Sequence, residues 1–303
     1  MKERDELPNA ASRTIGDVID RVVPGKTALA SAARGHLLLI HPVPVSFVLL
    51  GTALFGLLAA GGRPDPARYL LMLLAMLGGQ VAIGTHNEWR DRKHDARHQP
   101  EKPIPAGLVV PGAVQPIIAV GLLTGTVAAA WLGFWPLVLY AIGTGSGFAY
   151  NFWFKQTPLS GVPYFVGLPL LPLWATLVMD GFEPQLLWLY PLGGAFVVAV
   201  HLAQSLSDID GDRAAGTRGL AVVLGRRRTL EVIWGIAFGT ALVMPLGAFV
   251  VGEEPAFASV AAAITIGLFA AFLKEARQHE RGLFETLCAG AAMLAAGWIV
   301  GVT

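Results

Sequence analysis

The chain has 303 residues, of which 54% are hydrophobic and 14% charged, against roughly 25% charged in an ordinary soluble domain. That composition excludes a water-soluble enzyme, and a net charge of +1 without a basic tract excludes nucleic acid as a partner. The single cysteine, Cys288, excludes a disulfide framework, and its place inside an apolar run marks it as an inert, buried thiol.

Residues 1–35 mix Asp, Glu, Lys and Arg and lack the apolar core and cleavage site of a signal peptide. They read as an N-terminal cytoplasmic tail in which Thr14 to Val23 is either a short surface helix or part of a frayed tail. Residues 36–303 read as one all-α integral membrane domain. Apolar runs of about 17 to 25 residues, long enough to span a bilayer, fall near 36–60, 69–89, 108–131, 134–152, 161–180, 186–206, 229–251, 255–273 and 283–302. Nine spans place the termini on opposite sides. With the N-terminus inside, all but two of the 22 Lys and Arg, Arg63 and Arg68, lie on the cytoplasmic side. The expectation is a multi-pass cell-membrane protein with its N-terminus cytoplasmic and its C-terminus opposite. Asp91 and Asp95 close the second run, and Asp208 and Asp212 close the sixth at the same offset. This faint internal echo suggests two four-helix units plus a ninth helix, with both acidic clusters on one face.

The first cluster lies in HNEWRDRKHDARHQPEKPIPAG, His86 to Gly107. Asn87, Asp91 and Asp95 are spaced by four, so a helix continuing from the second span stacks their oxygens along one side. The second, SLSDIDGDRAAG, repeats the spacing with Asp208 and Asp212. Carboxylates stacked at a membrane helix end repel one another and are costly to desolvate unless a cation offsets them. Mg²⁺ suits them, because it takes one or two carboxylates and fills its other positions with water and phosphate oxygens. Asn87, Asp91, Asp95, Asp208 and Asp212 are therefore the candidate metal ligands, bridging to a diphosphate. Solvated loop charges are the alternative. His94 and His98 read as a solvated pair rather than half a zinc site. His201 reads as a packed helix residue or one facing the cavity.

A diphosphate needs more positive charge than metal alone, so Lys and Arg should converge on the same place. Arg92 and Lys102 follow the first cluster, and Arg213 and Arg218 follow the second. Lys155 is alone between the fourth and fifth spans. Pro103 and Pro105 stop the preceding helix and hold the loop extended, a shape that folds Lys102 back over the carboxylates. Arg226, Arg227 and Arg228 read as topology signals, and Trp89, Trp131, Trp135, Trp153 and Trp188 as interfacial anchors. Tyr150, closing the fourth span, is a candidate donor to a phosphate oxygen or another such anchor.

These residues resemble the UbiA superfamily of intramembrane aromatic prenyltransferases. Asn87, Asp91 and Asp95 match its Asn-x3-Asp-x3-Asp motif, and KPIPAG resembles the Arg-Pro-Ile-Pro-Ser-Gly that follows it. Asp208 and Asp212 match its Asp-x3-Asp motif, with GDRAAG and VVLG also matching. Ser205, Lys102 and Gly219 depart from the usual residues, and Tyr150 and Lys155 only approximate a Tyr-x3-Lys motif. The resemblance implies nine helices around a central cavity, capped on the cytoplasmic side. It implies Mg²⁺-dependent catalysis in which Asp91, Asp95, Asp208 and Asp212 are catalytic, and Asn87, Arg92, Lys102, Tyr150, Lys155 and Arg213 bind substrate. The substrates would be a prenyl diphosphate and a lipophilic, aromatic acceptor in the bilayer. A terpene cyclase on the same scaffold remains open, and so does, from another class, a secondary transporter or cation channel.

Overall fold

The computed structural model describes residues 28–251 apart from 180 and 183, together with residue 267 and residues 282–302. The segment 14–23 and nearly all of the eighth apolar run lie outside the described residues. The described helices are α1 (Ala28–Leu39), α2 (Pro42–Ala59), α3 (Pro66–His98), α4 (Pro111–Leu132), α5 (Phe134–Ala149), α6 (Val162–Gly167), α7 (Leu170–Met179), α8 (Leu189–Ser205), α9 (Ile209–Ala214), α10 (Leu220–Val251) and α11 (Leu283–Val302). Every regular element among the described residues is helical, as the composition requires of a chain that must satisfy its backbone in lipid. Six stretches of helix among them are long and apolar enough to cross a membrane: Pro42–Ala59, Pro66–Arg97, Pro111–Leu132, Val162–Met179, Tyr190–Ala214 and Leu283–Val300.

Several runs that look continuous in the sequence are broken. The first divides at His41, whose left-handed φ of 54° turns the chain between α1 and α2 before Pro42 starts the next helix. The fifth divides between α6 and α7 beside Pro169, which has no N–H to continue the ladder. The fourth ends at Ala149 and passes into a π-helical turn, Tyr150–Phe154. Helix α3 begins where the carboxylate of Asp65 caps Arg68 N at 2.8 Å and Pro66 takes a first-turn position. Arg68 then donates through Nε and Nη2 to Val178 O at 3.0 and 2.8 Å, satisfying a carbonyl at the end of α7.

The helices close into a ring. α2 packs on α3, α3 on α4, α4 on α5, α5 on α6 and α6 on α8, while α11 touches both α8 and α2, and α7 sits against α2, α3, α5 and α11. Large apolar side chains such as Leu50, Leu123 and Trp131 remain exposed on the outside, where lipid rather than water is the solvent. Trp135 and Trp153 are exposed as well, whereas the side chain of Trp188 lies outside the described set.

α3 and α4 approach through glycine, as membrane helices do when packing replaces the hydrophobic drive. A methyl on Gly78 would lie 2.6 Å from both Gly121 O and Gly125 N, main-chain atoms that cannot step aside. Gly78→Ala is expected to destabilise the detergent-solubilised protein by about 1–3 kcal/mol, the usual penalty of overpacking, seen as a lower thermal midpoint. Wild-type melting would mean that α3 and α4 part without cost.

Candidate active site

α3 continues well past its apolar section, so Asn87, Asp91 and Asp95 ride on an unbroken helix and share one side of it. Lysines from two separate loops meet them. The ammonium of Lys155 donates to the Asp91 carboxylate and lies 3.5 Å from Asn87 Oδ1. Lys102 Nζ donates to Asp95 Oδ2 at 3.0 Å and sits 3.3 Å from Glu88 Oε1. Asp95 is buried and Asp91 half-buried, so the lysines neutralise charge that water only partly reaches.

Local backbone structure explains both approaches. After α3 the KPIPAG segment folds into a tight turn: Ala106 N donates to Lys102 O at 2.9 Å, and Leu108 N donates to Pro103 O at 3.0 Å. Gly107 takes the φ of 70° this needs. Ile104 and Val109 are pinned with Leu39 and Val114 in a small apolar cluster, which holds Lys102 over the acids. Burial alone would lower the pKa of Lys102, but the charges of Glu88 and Asp95 outweigh it and raise the pKa. Lys155 depends on the π turn. Its N–H donates to Tyr150 O at 2.9 Å, an i→i+5 bond. Tyr150 and Lys155, five apart, are thereby brought onto one side much as residues four apart are on an α-helix. Burial opposes the charge on Lys155 as well, and the Asp91 carboxylate again outweighs it, raising the pKa.

The second cluster is built differently. α8 ends at Ser205, a 3₁₀ turn carries Leu206–Asp208, and the short α9 carries Asp212. The two clusters echo each other in spacing but not in backbone form. They nevertheless share one electrostatic space: the charges of Lys155 and Lys102 act on Asp208, and those of Asp208, Lys155 and Asp91 act on Asp212. Tyr150 lies within reach of Asp91, Asp208 and Asp212. Its ring meets Tyr164 and His201 edge-on, at 5.2 and 5.8 Å. His201 itself is packed, stacked on Tyr164 at 4.3 Å with Nε2 3.0 Å from Ser160 Oγ.

Contacts thus join Asn87, Asp91 and Asp95 to Lys102 and Lys155, and Tyr150, Asp208 and Asp212 share their electrostatic field. Arg213 and Arg92 find partners elsewhere. Arg213 Nη1 donates to Asp210 Oδ1 at 3.3 Å on an exposed surface, and Arg92 lies 3.7 Å over the Trp89 ring while donating to Trp89 O. Three neighbours of the site went unread in the sequence. Glu88 is buried against Lys102 and His41. Asn151, on the π turn, accepts from Asn87 Nδ2 at 2.8 Å. His41 Nε2 is 3.0 Å from Glu88 Oε1. The polar residue Glu88 inside the Asn87–Asp91 stretch was the one available signal.

Among the described residues no three His, Cys, Asp or Glu side chains converge into a ready-made metal cage. The donor set is all oxygen, supplied from two clusters, which fits an octahedral ion that keeps water and substrate phosphate among its ligands.

The profile of the UbiA prenyltransferase family matches residues 48–299. The chain is 31% identical to the digeranylgeranylglyceryl phosphate synthase of Natronomonas pharaonis, over 65% of this chain and 71% of that protein. It is 32% identical to the protoheme IX farnesyltransferase of Brucella ovis over 43% of each. In three dimensions it resembles a UbiA homolog from Archaeoglobus fulgidus solved with DMAPP and Mg²⁺, with a TM-score of 0.73 at 18% identity, covering 88% of this chain and 99% of that one. The family profile spans both acidic clusters and the ring of helices that joins them. A match of that length places the chain in the UbiA prenyltransferase family, as a multi-pass membrane enzyme that transfers a prenyl group from a prenyl diphosphate.

Proposed function

We propose that the enzyme prenylates the hydroxyl of a glyceryl lipid phosphate, with the donor diphosphate held between the two acidic clusters at the cytoplasmic surface. The observation that carries the site is that Lys102 and Lys155 pair with carboxylates of the first cluster while their charges also act on Asp208 of the second. Relatives named digeranylgeranylglyceryl phosphate synthase, at 31% and 28% identity, support a glyceryl phosphate acceptor over the aromatic ring expected by resemblance. The heavy bias of Lys and Arg toward one side supports a cytoplasmic opening.

Asn87, Asp91, Asp95, Asp208 and Asp212 are the oxygens that would hold Mg²⁺. When bound, the ion supplies charge stabilisation for the leaving diphosphate. Lys102 and Lys155 then have phosphate oxygens to turn to, and Tyr150 offers its hydroxyl as a further donor. These groups stabilise the negative charge that grows as the allylic C–O bond breaks and its electron pair leaves with the diphosphate. The acceptor oxygen forms the new bond to carbon, and its proton passes to the released diphosphate. The prenyl chain lies among the apolar helices, where excluded water cannot quench the developing cation.

Membranes containing the enzyme, given labelled prenyl diphosphates of graded length, test this by product mass spectrometry. The acceptors offered are a prenylated glyceryl phosphate, hydroxybenzoate and protoheme. The expected product is the doubly prenylated glyceryl phosphate, lost on chelation of divalent ions. A prenylated ring would overturn the acceptor, and a cyclised hydrocarbon formed without acceptor would make the enzyme a cyclase.

A further inference from the structure

Asn151 follows Tyr150 on the π turn and is buried, 7% exposed. Its Nδ2 donates to Ile83 O at 3.0 Å and lies 3.3 Å from His86 Nδ1, while its Oδ1 accepts from Asn87 Nδ2 at 2.8 Å. A main-chain carbonyl only accepts, so this amide has one favourable seating. Reversed, its oxygen would face the oxygen of Ile83 and its NH₂ would face that of Asn87. His86, held between Phe148 and Phe152 at 5.0 and 4.4 Å, offers Nδ1 as the acceptor for the second Nδ2 hydrogen.

With Asn151 fixed, Asn87 is fixed in turn. Its NH₂ points to Asn151, and its Oδ1 is the atom left beside the ammonium of Lys155, which also holds Asp91. An amide turned the other way would present two N–H donors to the site, and an N–H has no lone pair to give a cation. We propose that Asn151 is a positioning residue: the carbonyl of Ile83 sets the polarity of a two-amide relay that presents the oxygen of Asn87 to the bound cation and diphosphate. This rests on the reading of Asn87 as a ligand. The relay also ties the π turn that aims Lys155 to the helix that carries Asp91, so both arms of the site share one anchor.

The test compares Asn151→Leu in the wild-type and Asn87→Asp backgrounds, because a carboxylate presents oxygen whichever way it turns. The first readout is Mn²⁺ affinity without substrate, by electron paramagnetic resonance. The second is calorimetric binding of an unreactive thiolo-diphosphate analogue. In the wild-type background Asn151→Leu is expected to weaken both by about 10- to 100-fold, as for groups that orient a metal ligand. In the Asn87→Asp background the same change is expected to cost less than about twofold, since the orientation it enforced no longer matters. Equal losses in both backgrounds, or wild-type binding by Asn151→Leu, would overturn the relay. Asn87→Leu separates the two levels. If it binds like wild type, the reading of Asn87 as a ligand falls and the relay with it; if it binds weakly while Asn151→Leu binds normally, the relay alone falls.

Discussion

Alanine at Asp91 or at Asp208 is expected to lower Mg²⁺-dependent prenyl transfer on the order of a thousandfold, the scale seen when one preorganised group facing developing charge is lost. Asp91 of the first cluster is paired with Lys155, and Asp208 of the second feels the charge of the same lysine. If both act on one diphosphate they act as a unit, so the double variant is expected to lose little beyond either single one. Losses that multiply would instead mean two independent sites. The single variants are also expected to need more Mg²⁺ for half-maximal rate while remaining membrane-inserted. Asp91→Ala carries an added cost, because it leaves the half-buried ammonium of Lys155 without its carboxylate, so its melting point is expected to fall slightly. Folded Asp91→Ala and Asp208→Ala proteins with wild-type turnover would refute the assignment.

What could be read from the sequence follows from how local its cause is. Asn87, Asp91 and Asp95 align because helical periodicity alone aligns residues four apart, and α3 stays helical through them. The return of Lys102 was legible from the prolines that follow it, but not its form: they were expected to hold the loop extended, and the segment instead closes into a tight turn through Ala106 N and Leu108 N. Lys155 was named by resemblance, but its route to the acids was not legible, because it needs a π turn and nothing in YNFWFK announces an i→i+5 bond. Hydropathy marked where apolar helix lies but not where it breaks: His41 turns the chain in a left-handed conformation, and Pro169 interrupts a run of uniform hydropathy. Arg92 and Arg213 follow the acidic clusters as diphosphate ligands would, yet each has a partner three residues back, the Trp89 ring and Asp210. A partner so close in the chain is reached with little loss of side-chain freedom.

Glu88→Ala is expected to destabilise the enzyme by about 1–3 kcal/mol, because Lys102 keeps Asp95 but loses its second carboxylate and His41 loses its buried neighbour. Glu88 is 1% exposed and holds Lys102 at 3.3 Å and His41 at 3.0 Å. It therefore joins the α1–α2 corner to the loop that carries a candidate diphosphate lysine. The corner has little room to adjust: a methyl on Gly84 would lie 2.9 Å from Ile40 O. The effect also has a direction in pH. Burial would lower the pKa of Lys102, and Glu88 is the first of the charges that raise it instead. A lysine whose folded pKa exceeds its unfolded value contributes stability that is full below the unfolded pKa, about 10.4, and is lost as pH rises through the folded one. Without Glu88 that folded pKa falls, so the variant is expected to lose stability at a lower pH than the wild type as the solution is made alkaline. Thermal midpoints of wild type, Glu88→Ala and Glu88→Gln across neutral to alkaline pH measure this. Glu88→Gln is expected to lie between the other two, since its amide oxygen can still accept from Lys102 without supplying charge. If all three melt alike at every pH, Glu88 does not anchor Lys102, and the lysine is held by Asp95 and the proline turn alone.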